Sequence, residues 1–176
     1  MTGTGKEILA LLDEHGPRLF ALLARLTLRT DVAHDLMQEL FCKLVRSNGF
    51  LRASNPAAYA FRVAANLAFD YRRAQKRALR TESVKPDELF GRNGSPLIDL
   101  VRREELDRVL DAIGQLPRTS RHIVVLRYLE RQSFDTIAQQ LDKTPHQVRA
   151  ICHKGIVRLR SAMNENSSAG AERRGN

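Results

Sequence analysis

Apolar residues recur at intervals of three and four along almost the whole chain, and strict alternation of apolar and polar residues is almost absent. The first spacing places side chains on one face of a helix, whereas alternation would indicate strands. We therefore predict an all-α fold. Hydrophobic residues make up 43% of the 176 residues, too many for a wholly disordered chain. No apolar run approaches the ~20 residues of a transmembrane helix.

Prolines, glycines and cap residues divide the pattern into segments. In the first half we predict a helix near 6–15, an interruption at Gly16 and Pro17, and then a second helix. Thr30 and Asp31 are candidate N-caps for a third helix that ends near Arg46. Residues 47–50 form a predicted loop with its glycine at positive φ, and a long helix follows over 56–80. The second half predicts helices over 97–114, 118–130, 133–141 and 144–163.

The two halves are separated by a stretch without sustained periodicity. Residues 81–97 contain two prolines and two glycines, which indicates a linker. We therefore predict two small helical domains, 1–80 and 100–163, joined by a flexible linker over 81–99. Residues 164–176 are rich in Ser, Ala, Gly, Asn and charge, and we expect a disordered tail.

The charge distribution points to an anionic partner. The net charge is +9: residues 1–80 carry 13 basic and 7 acidic side chains, residues 101–176 carry 14 and 9, and the connector is mildly acidic. Nucleic acid is the leading partner class, and an acidic membrane surface is second. The alternative is a solvated surface on a basic protein.

The strongest local motif is a predicted helix–turn–helix around Asp142. Ser133 can cap its first helix, and Thr144 with Pro145 can begin its second. The turn carries Asp142 and Lys143 where Gly and an apolar residue are expected, but Asp tolerates left-handed geometry. An ordinary helical hairpin with solvated charges is the alternative interpretation. In a DNA-binding motif, the start of the second helix reaches base edges and its later basic residues meet phosphates.

With these features in place, the chain resembles a bacterial sigma factor of the extracytoplasmic-function group over about 17–80 and 100–162. Residues 31–41 read DVAHDLMQELF and resemble the family's D-A-E-D-L-x-Q-E-x-F helix. Residues 55–73 resemble its P-x-x-W-L-x-R-I-A-x-N-x-x-x-D-x-x-R segment, with Tyr59 in place of Trp. Residues 116–128 resemble L-P-x-x-x-R-x-V-x-x-L-R-Y, and the helix–turn–helix with Arg158-Leu159-Arg160 follows. His34 stands where the family usually has an acidic residue.

The resemblance implies three sets of site residues. The core-binding set would contact the clamp helices of the largest polymerase subunit; it comprises Asp35, Gln38, Glu39 and Lys43. The second domain would contact the polymerase flap. The minus-ten set would open the upstream hexamer and hold an unpaired base; it comprises Asn48, Phe50, Tyr59, Arg62, Asn66, Asp70, Arg72, Arg73 and Lys76. The minus-thirty-five set would read duplex DNA; it comprises Ser133, Pro145, His146, Gln147, Arg149, Ala150, His153, Lys154 and Arg158.

Each set has a plainer interpretation from the residues alone. Glu39 and Lys43 are an i, i+4 pair of the kind found on solvated helix faces. Phe50 could close a loop as a core residue rather than contact a base, whereas the minus-ten interpretation has Arg72, Arg73 and Lys76 meeting phosphates. Asn66 and Asp70 could simply be exposed polar residues.

The motifs that are present and those that are absent together indicate the class of function. The leading interpretation is a promoter-recognition subunit that binds RNA polymerase core and promoter DNA and is held inactive by an anti-sigma factor. The alternative is a stand-alone helix–turn–helix regulator. We find no nucleotide-binding or hydrolase motif, and therefore expect no enzymatic activity, cofactor, small-molecule substrate or membrane insertion. Cys42 and Cys152 lack CxxC spacing, so we expect no zinc site or disulfide scaffold, and a cytoplasmic protein.

Overall fold

The computed structural model describes residues 3–81 and 96–172, with side chains for 5–79 and 101–164. Those residues form helices and connecting turns without a strand, which confirms the all-α prediction. The helices are α1 (Gly3–Thr27), α2 (Thr30–Val45), α3 (Asn48–Leu51), α4 (Pro56–Thr81), α5 (Pro96–Gln115), α6 (Arg118–Val124), α7 (Phe134–Gln140) and α8 (Pro145–Glu172). A π-helical turn, Val125–Leu129, continues α6. None of the described helices is long and apolar enough to cross a membrane.

The first domain is built from α1, α2 and α4, with α3 as a short connection. Each of the three long helices contributes a stripe of buried side chains at helical spacing. These stripes supply most of the domain's core: Leu19, Leu22, Leu23, Leu26, Leu36, Leu40, Leu44, Phe61, Ala64, Leu67 and Ala68.

The predicted break at Gly16 and Pro17 is wrong, because α1 continues through both residues. Proline removes one backbone hydrogen bond and normally ends or kinks a helix. Here Ile8 and Leu11 before it and Leu19 after it are all buried in the same core. We attribute the continuous helix to this packing on both sides of Pro17.

Two further local predictions need correction. The cap position of α2 is Arg29, not Thr30 or Asp31, and it makes no side-chain cap hydrogen bond. Arg29 instead pairs with Asp31, at 2.5 Å between Nη2 and Oδ2. Residues 48–51 form a short helix rather than a loop, because the Ser47 hydroxyl accepts a hydrogen bond from the Phe50 amide at 3.2 Å. Gly49 lies inside this helix and does not have positive φ.

The second domain consists of α5 to α8, which pack around α8. The first residues of α5 to α8 agree with the starts of the predicted segments. Because α5 begins at Pro96, residues 96–99 of the predicted linker are helical. The remaining linker residues, 82–95, lie outside the described residues. α8 continues past its predicted end at Met163 to Glu172, since no proline interrupts it. Residues 164–172, predicted to belong to a disordered tail, are therefore helical, and residues 173–176 lie outside the described residues.

The two domains pack against each other, in what we call the closed arrangement. Phe69 of α4 is 1% exposed and lies against α5. A Cβ on Gly114 of α5 would stand 3.2 Å from the Phe69 ring, so glycine permits the close approach of the two helices. A second contact joins α1 to the end of the π-helical turn, where Arg25 Nη1 donates to the Leu129 carbonyl at 2.8 Å.

Candidate nucleic-acid interface

The core-binding set lies on the solvent-facing side of α2. All four of its side chains are exposed, while Leu36, Leu40 and Leu44 on the opposite side are buried. Glu39 and Lys43 form the i, i+4 ion pair anticipated from the sequence, at 3.2 Å. The helix therefore presents a continuous polar face to a partner, fixed in place by the leucines behind it.

Tyr59 holds the short helix α3 against α4. Its hydroxyl lies 2.7 Å from the Ser47 hydroxyl. A Cβ on Gly49 would come within 2.8 Å of the Tyr59 hydroxyl oxygen, so no larger residue fits there without movement. Asn55 caps α4 by accepting from the Ala58 amide at 2.9 Å. The predicted base-capturing loop is therefore short, capped at both helix starts and fastened by one aromatic side chain.

Phe50 is a core residue in this structure. It is 3% exposed and packs edge-on against Tyr59, with 6.2 Å between the ring centroids. In this conformation its ring is not available for stacking on a base, which favours the alternative of a residue that closes the loop. Asn48, on the same short helix, is exposed.

Arg62, Asn66 and Asp70 share one stripe of α4 but have different partners. The Arg62 guanidinium lies over the Tyr59 ring, 4.9 Å from its centroid. Asn66 turns toward the second domain, where its Oδ1 accepts from Arg121 Nη2 at 3.1 Å. Asp70 pairs with Arg73 one turn along. Only Arg62 is thus placed beside the loop that all three were expected to face.

Arg72 departs most clearly from expectation. It is 7% exposed, and its Nη2 donates to Asp107 Oδ1 at 2.8 Å and to Asp111 Oδ1 at 2.6 Å, both on α5. A phosphate contact by Arg72 is therefore excluded in the closed arrangement. Arg73 and Lys76 are exposed, although Lys76 also pairs with Asp111.

Basic side chains line a cleft of about 630 Å³ between α4 and the second domain. Its walls include Phe69, Leu110 and Leu116, and its charged members are Arg72, Arg73, Lys76, Arg77, Arg118, Arg121 and Asp111. Burial lowers the pKa of Arg121, and the positive charges of Arg73 and Arg118 lower it further. The cleft therefore concentrates positive charge where a negatively charged group would be favoured.

A smaller cleft of about 280 Å³ joins the loop of the first domain to the turn of the helix–turn–helix. Arg52, Asn55 and Arg62 line one side, and Gln140 and Asp142 line the other. The turn of the second domain therefore stands over the loop that the resemblance assigns to base capture.

His122 lies at the edge of this smaller cleft and is nearly buried. Burial lowers its pKa to about 4, and the charges of Arg62 and Arg121 act in the same direction. Its Nδ1 is buried and makes no hydrogen bond within the described residues. His122 is therefore neutral at physiological pH.

The helix–turn–helix has the expected local geometry. The Ser133 hydroxyl accepts from the Thr136 amide at 3.0 Å and caps α7. Asp142 adopts φ of 50°, and the Lys143 amide bonds back to the Ala138 carbonyl at 3.0 Å, a Schellman-type end to α7. An acidic residue thus takes the left-handed position that glycine usually fills.

The start of α8 is fixed by a reciprocal cap. The Gln147 amide donates to Thr144 Oγ1 at 3.2 Å, and the Thr144 amide donates to Gln147 Oε1 at 3.0 Å. The Gln147 side-chain oxygen is therefore used by the helix start in this conformation. The chain thus forms the capping box that its T-x-x-Q pattern allows.

The outer face of α8 carries the minus-thirty-five set except Ser133, which is exposed at the start of α7. His146, Gln147, Arg149, Ala150, His153, Lys154 and Arg158 are all exposed, and Pro145 is half-buried. Val148 and Cys152 form the buried face, and burial raises the pKa of the Cys152 thiol. The Arg149 guanidinium lies over the Phe134 ring, 5.7 Å from its centroid. This face is open to solvent along its length.

The sequence interpretation missed the charged residues that join the domains. These are Asp107, Asp111, Arg121 and Glu130. The Glu130 side chain is 4% exposed and pairs with both Arg18 and Arg25 of α1. The sequence did contain a sign that two of the arginines are paired. Arg72 and Arg121 fall at inward positions of apolar stripes, and a buried charge requires a partner.

Comparison with known families matches both halves of the chain. Residues 11–78 match the model of Sigma-70 region 2, and residues 112–161 match that of Sigma-70, region 4. The first range includes the core-binding and minus-ten sets, and the second includes the minus-thirty-five set.

Individual relatives align along nearly their whole length. The chain is 30% identical to the RNA polymerase sigma factor CarQ of Myxococcus xanthus over 88% of each chain. It is also 30% identical to the ECF RNA polymerase sigma-E factor of Haemophilus influenzae, over 90% of this chain and 83% of that one. Among solved structures, its fold is similar to the sigma factor RpoE of Bartonella quintana in complex with the anti-sigma factor NepR. The TM-score there is 0.51, with 18% identity over 93% of this chain and 98% of the other.

Proposed function

This chain belongs to the extracytoplasmic-function sigma factors, promoter-specific initiation factors that bind RNA polymerase core and promoter DNA, and we propose how its residues divide that work. One observation carries the proposal. The predicted faces of α2 and α8 are both exposed, in a chain whose sigma-factor relatives align over more than four-fifths of their length.

The core-binding set on α2 docks the polymerase. Asp35 and Glu39 offer carboxylates, and Gln38 offers an amide, to basic and polar groups on the clamp helices of the largest subunit. The leucines behind them hold α2 in the domain core, so the face is presented without rearrangement. Contact between the second domain and the polymerase flap completes the docking.

The first domain opens the minus-ten element. The Tyr59-fastened loop, with exposed Asn48, and the neighbouring stripe of Arg62, Asn66 and Asp70 hold an unpaired base of the displaced strand. Arg73 and Lys76 contact phosphates on either side of that base. Asn66 reaches DNA only after it leaves Arg121 of the second domain.

The second domain recognises the minus-thirty-five element through α8. Its N-terminal residues His146, Gln147 and Arg149 reach base edges in the major groove. Later residues on the same face, including His153, Lys154 and Arg158, bind the phosphate backbone and fix the register. The protein itself performs no catalysis in this scheme, and it acts in the cytoplasm, where the polymerase transcribes.

An anti-sigma factor is proposed as a further partner. A solved structure with a similar fold is a sigma factor bound to one. Such a partner would bind where both domains are within reach, and it would keep the polymerase and DNA surfaces from acting. Its chemistry follows from the three surfaces it must cover, of which the one on α2 is acidic and those on α4 and α8 are basic.

Transcription by purified core polymerase tests the proposed function. Core would transcribe a library of promoter fragments with and without the full-length protein, and the start sites would be sequenced. We expect initiation at a small set of fragments only when the protein is present. If core gains nothing while the protein alone protects a defined duplex site, the stand-alone regulator is correct and the core-binding set is misassigned.

Single variants in the same assay separate the two DNA contacts. Arg149→Ala should weaken promoters according to their upstream element, whereas Asn66→Ala should slow strand opening, measured by permanganate reactivity of unpaired thymines. Arg160→Ala is the matched control, because Arg160 is exposed on α8 but outside the predicted set. Equal loss in the control and in Arg149→Ala would contradict the assignment.

A further inference from the structure

Arg121 of α6 is a nearly buried cation whose partners are neutral. It is 3% exposed, and its guanidinium donates to two uncharged oxygens, the Gly114 carbonyl and Asn66 Oδ1, each at 3.1 Å. The same group lies over the Phe69 ring, 5.1 Å from the ring centroid. It forms no ion pair with a carboxylate of the described residues. Because a buried charge is costly unless a group of opposite sign accompanies it, this position favours an added anion.

The charges around Arg121 are mainly positive. Burial lowers its pKa, and the cations of Arg73 and Arg118 lower it further against the opposing effect of Asp70. The Asp70 carboxylate is itself paired with Arg73. Arg118, at the start of α6, is exposed and forms no ion pair within the part of the chain that the structure describes. The negative groups near Arg121 therefore do not balance the positive ones.

The larger cleft, of about 630 Å³, brings these arginines together with the basic end of α4. One of its lining residues, Asp111, is an acid, and that carboxylate is already shared by Arg72 and Lys76. Arg72 Nε is buried and makes no hydrogen bond within the described residues. The lining cations are Arg72, Arg73, Lys76, Arg77, Arg118 and Arg121. The cleft therefore holds more positive charge than its own carboxylate can neutralise.

The size and the lining of the cleft fit a phosphorylated ligand. Small-molecule sites commonly measure about 300–1,000 Å³, and the volume of this cleft falls within that range. Guanidinium groups bind pairs of phosphate oxygens, and several cations on two walls suit a chain of phosphates better than a single carboxylate. Leu110, Leu116 and Pro117 supply an apolar part of the wall, on which a nucleotide base can lie.

We propose that this cleft is a binding site for a compact polyphosphate, either inorganic or carried by a nucleoside. Arg118 and Arg121 of the second domain and Arg73 and Arg77 of α4 bind its phosphates. The polyphosphate is a ligand and not a substrate, and the inference goes beyond the proposed function, which calls for no small molecule. Because the two walls belong to different domains, a ligand that contacts both favours the closed arrangement.

Calorimetric titration of the full-length protein tests the site without polymerase or DNA, so the result does not depend on the proposed function. The probes are inorganic triphosphate, GTP and sulfate, compared at equal ionic strength in about 0.1 M salt with EDTA present. The cleft variant, Arg77→Gln with Arg118→Gln, removes one exposed cation from each wall. Arg46→Gln with Arg102→Gln is the matched control, because it removes one exposed cation from each domain outside the cleft.

We expect the natural chain to bind triphosphate at least about tenfold more tightly than sulfate, because several cations act on one ligand. The cleft variant should lose about tenfold or more of this affinity, and the control less than about twofold, because salt screens distant charges. Arg121→Lys keeps the charge but not the planar fork of donors, so it should also bind more weakly. Thermal unfolding without ligand verifies that each variant is folded. Triphosphate should raise the unfolding temperature of the natural chain and of the control.

The two phosphorylated probes distinguish the source of the ligand. Equal or weaker binding of GTP supports a site for inorganic polyphosphate, whereas tighter binding of GTP supports a nucleotide whose base lies on the apolar wall. Three results would overturn the proposal: triphosphate that binds no more tightly than sulfate, a control that loses as much affinity as the cleft variant, or a folded Arg121→Lys variant that binds triphosphate as well as the natural chain does.

Discussion

The two surfaces assigned to DNA differ in whether the closed arrangement leaves them accessible. The covered surface, Asn66 and Arg72 on α4, is bonded to side chains of the second domain. The open surface, Arg149, His153 and Lys154 on α8, faces solvent. Both were assigned from the resemblance of their motifs to those of the family. The difference teaches that spacing identifies a helix face, whereas the fold around it decides whether that face can bind.

The largest effect should come from the covered surface. Arg72→Ala removes a nearly buried cation and leaves the carboxylates of Asp107 and Asp111 without their main partner. We expect the free energy of unfolding to fall by about 3 kcal/mol, measured by urea denaturation. Arg73→Ala is the control, because Arg73 is exposed and pairs only within its own helix with Asp70, so the loss there should stay below about 0.5 kcal/mol. Similar losses in the two variants would remove the distinction between covered and open residues.

His122 should make the free energy of unfolding fall at acidic pH. Its folded pKa of about 4 lies below the ordinary value of 6.5, so the unfolded chain takes up a proton at a higher pH than the folded chain does. This contribution to stability is complete above about pH 6.5 and is lost as the pH falls toward 4, by up to about 3 kcal/mol. Urea denaturation at several pH values should show this slope for the natural chain and a flatter one for His122→Leu. A proton titration of the His122 ring by NMR with a midpoint near 6.5 would contradict the burial.

Substitutions on the open surface should change DNA binding rather than the stability of the fold. We expect Arg149→Ala to lower initiation about tenfold at promoters that carry the preferred upstream bases, with little change in the unfolding midpoint. Lys154→Ala should instead weaken all promoters by a similar factor, because a phosphate contact carries no sequence information. An Arg149→Ala variant that unfolds as readily as Arg72→Ala would show that α8 is not an independent open surface.

The smallest effects concern the loop between the two surfaces. Gly49→Ala would place a Cβ within 2.8 Å of the Tyr59 hydroxyl, and we expect a loss of about 1 kcal/mol from the strain. Adding Tyr59→Phe should recover part of that loss, because it removes the crowded oxygen. Gly16→Ala, where nothing lies within 4 Å, should stabilise α1 by about 0.5–1 kcal/mol. A loss at Gly16 equal to that at Gly49 would contradict the loop packing.

Local rules predicted the caps and motifs that depend on neighbouring residues. Ser133 and Thr144 cap helices as their sequence context suggests, and Asp142 takes the left-handed position between α7 and α8. These features need only residues within one turn of each other. The same rules failed at Pro17, where the packing of α1 outweighs the local helix-breaking signal.

The site residues likewise divide into those predicted from local pattern and those decided by long-range packing. The polar face of α2 and the outer face of α8 were predicted with the correct exposure, because a helical stripe fixes which side is buried. The sequence left open whether Phe50 closes the loop or contacts a base, and it did not predict that Arg72 is buried against α5. Both depend on residues brought together from distant parts of the chain.

The helices, the two-domain order and the family could be predicted from the sequence, since they depend on short-range spacing and on motifs that keep their order. The partners of Arg72, Asn66 and Glu130 became known only from the packing of the helices. Those residues pair with groups 35 to 112 positions away along the chain. Periodicity cannot reveal such pairings, because it describes which face of a helix is inward and not which helix that face will meet.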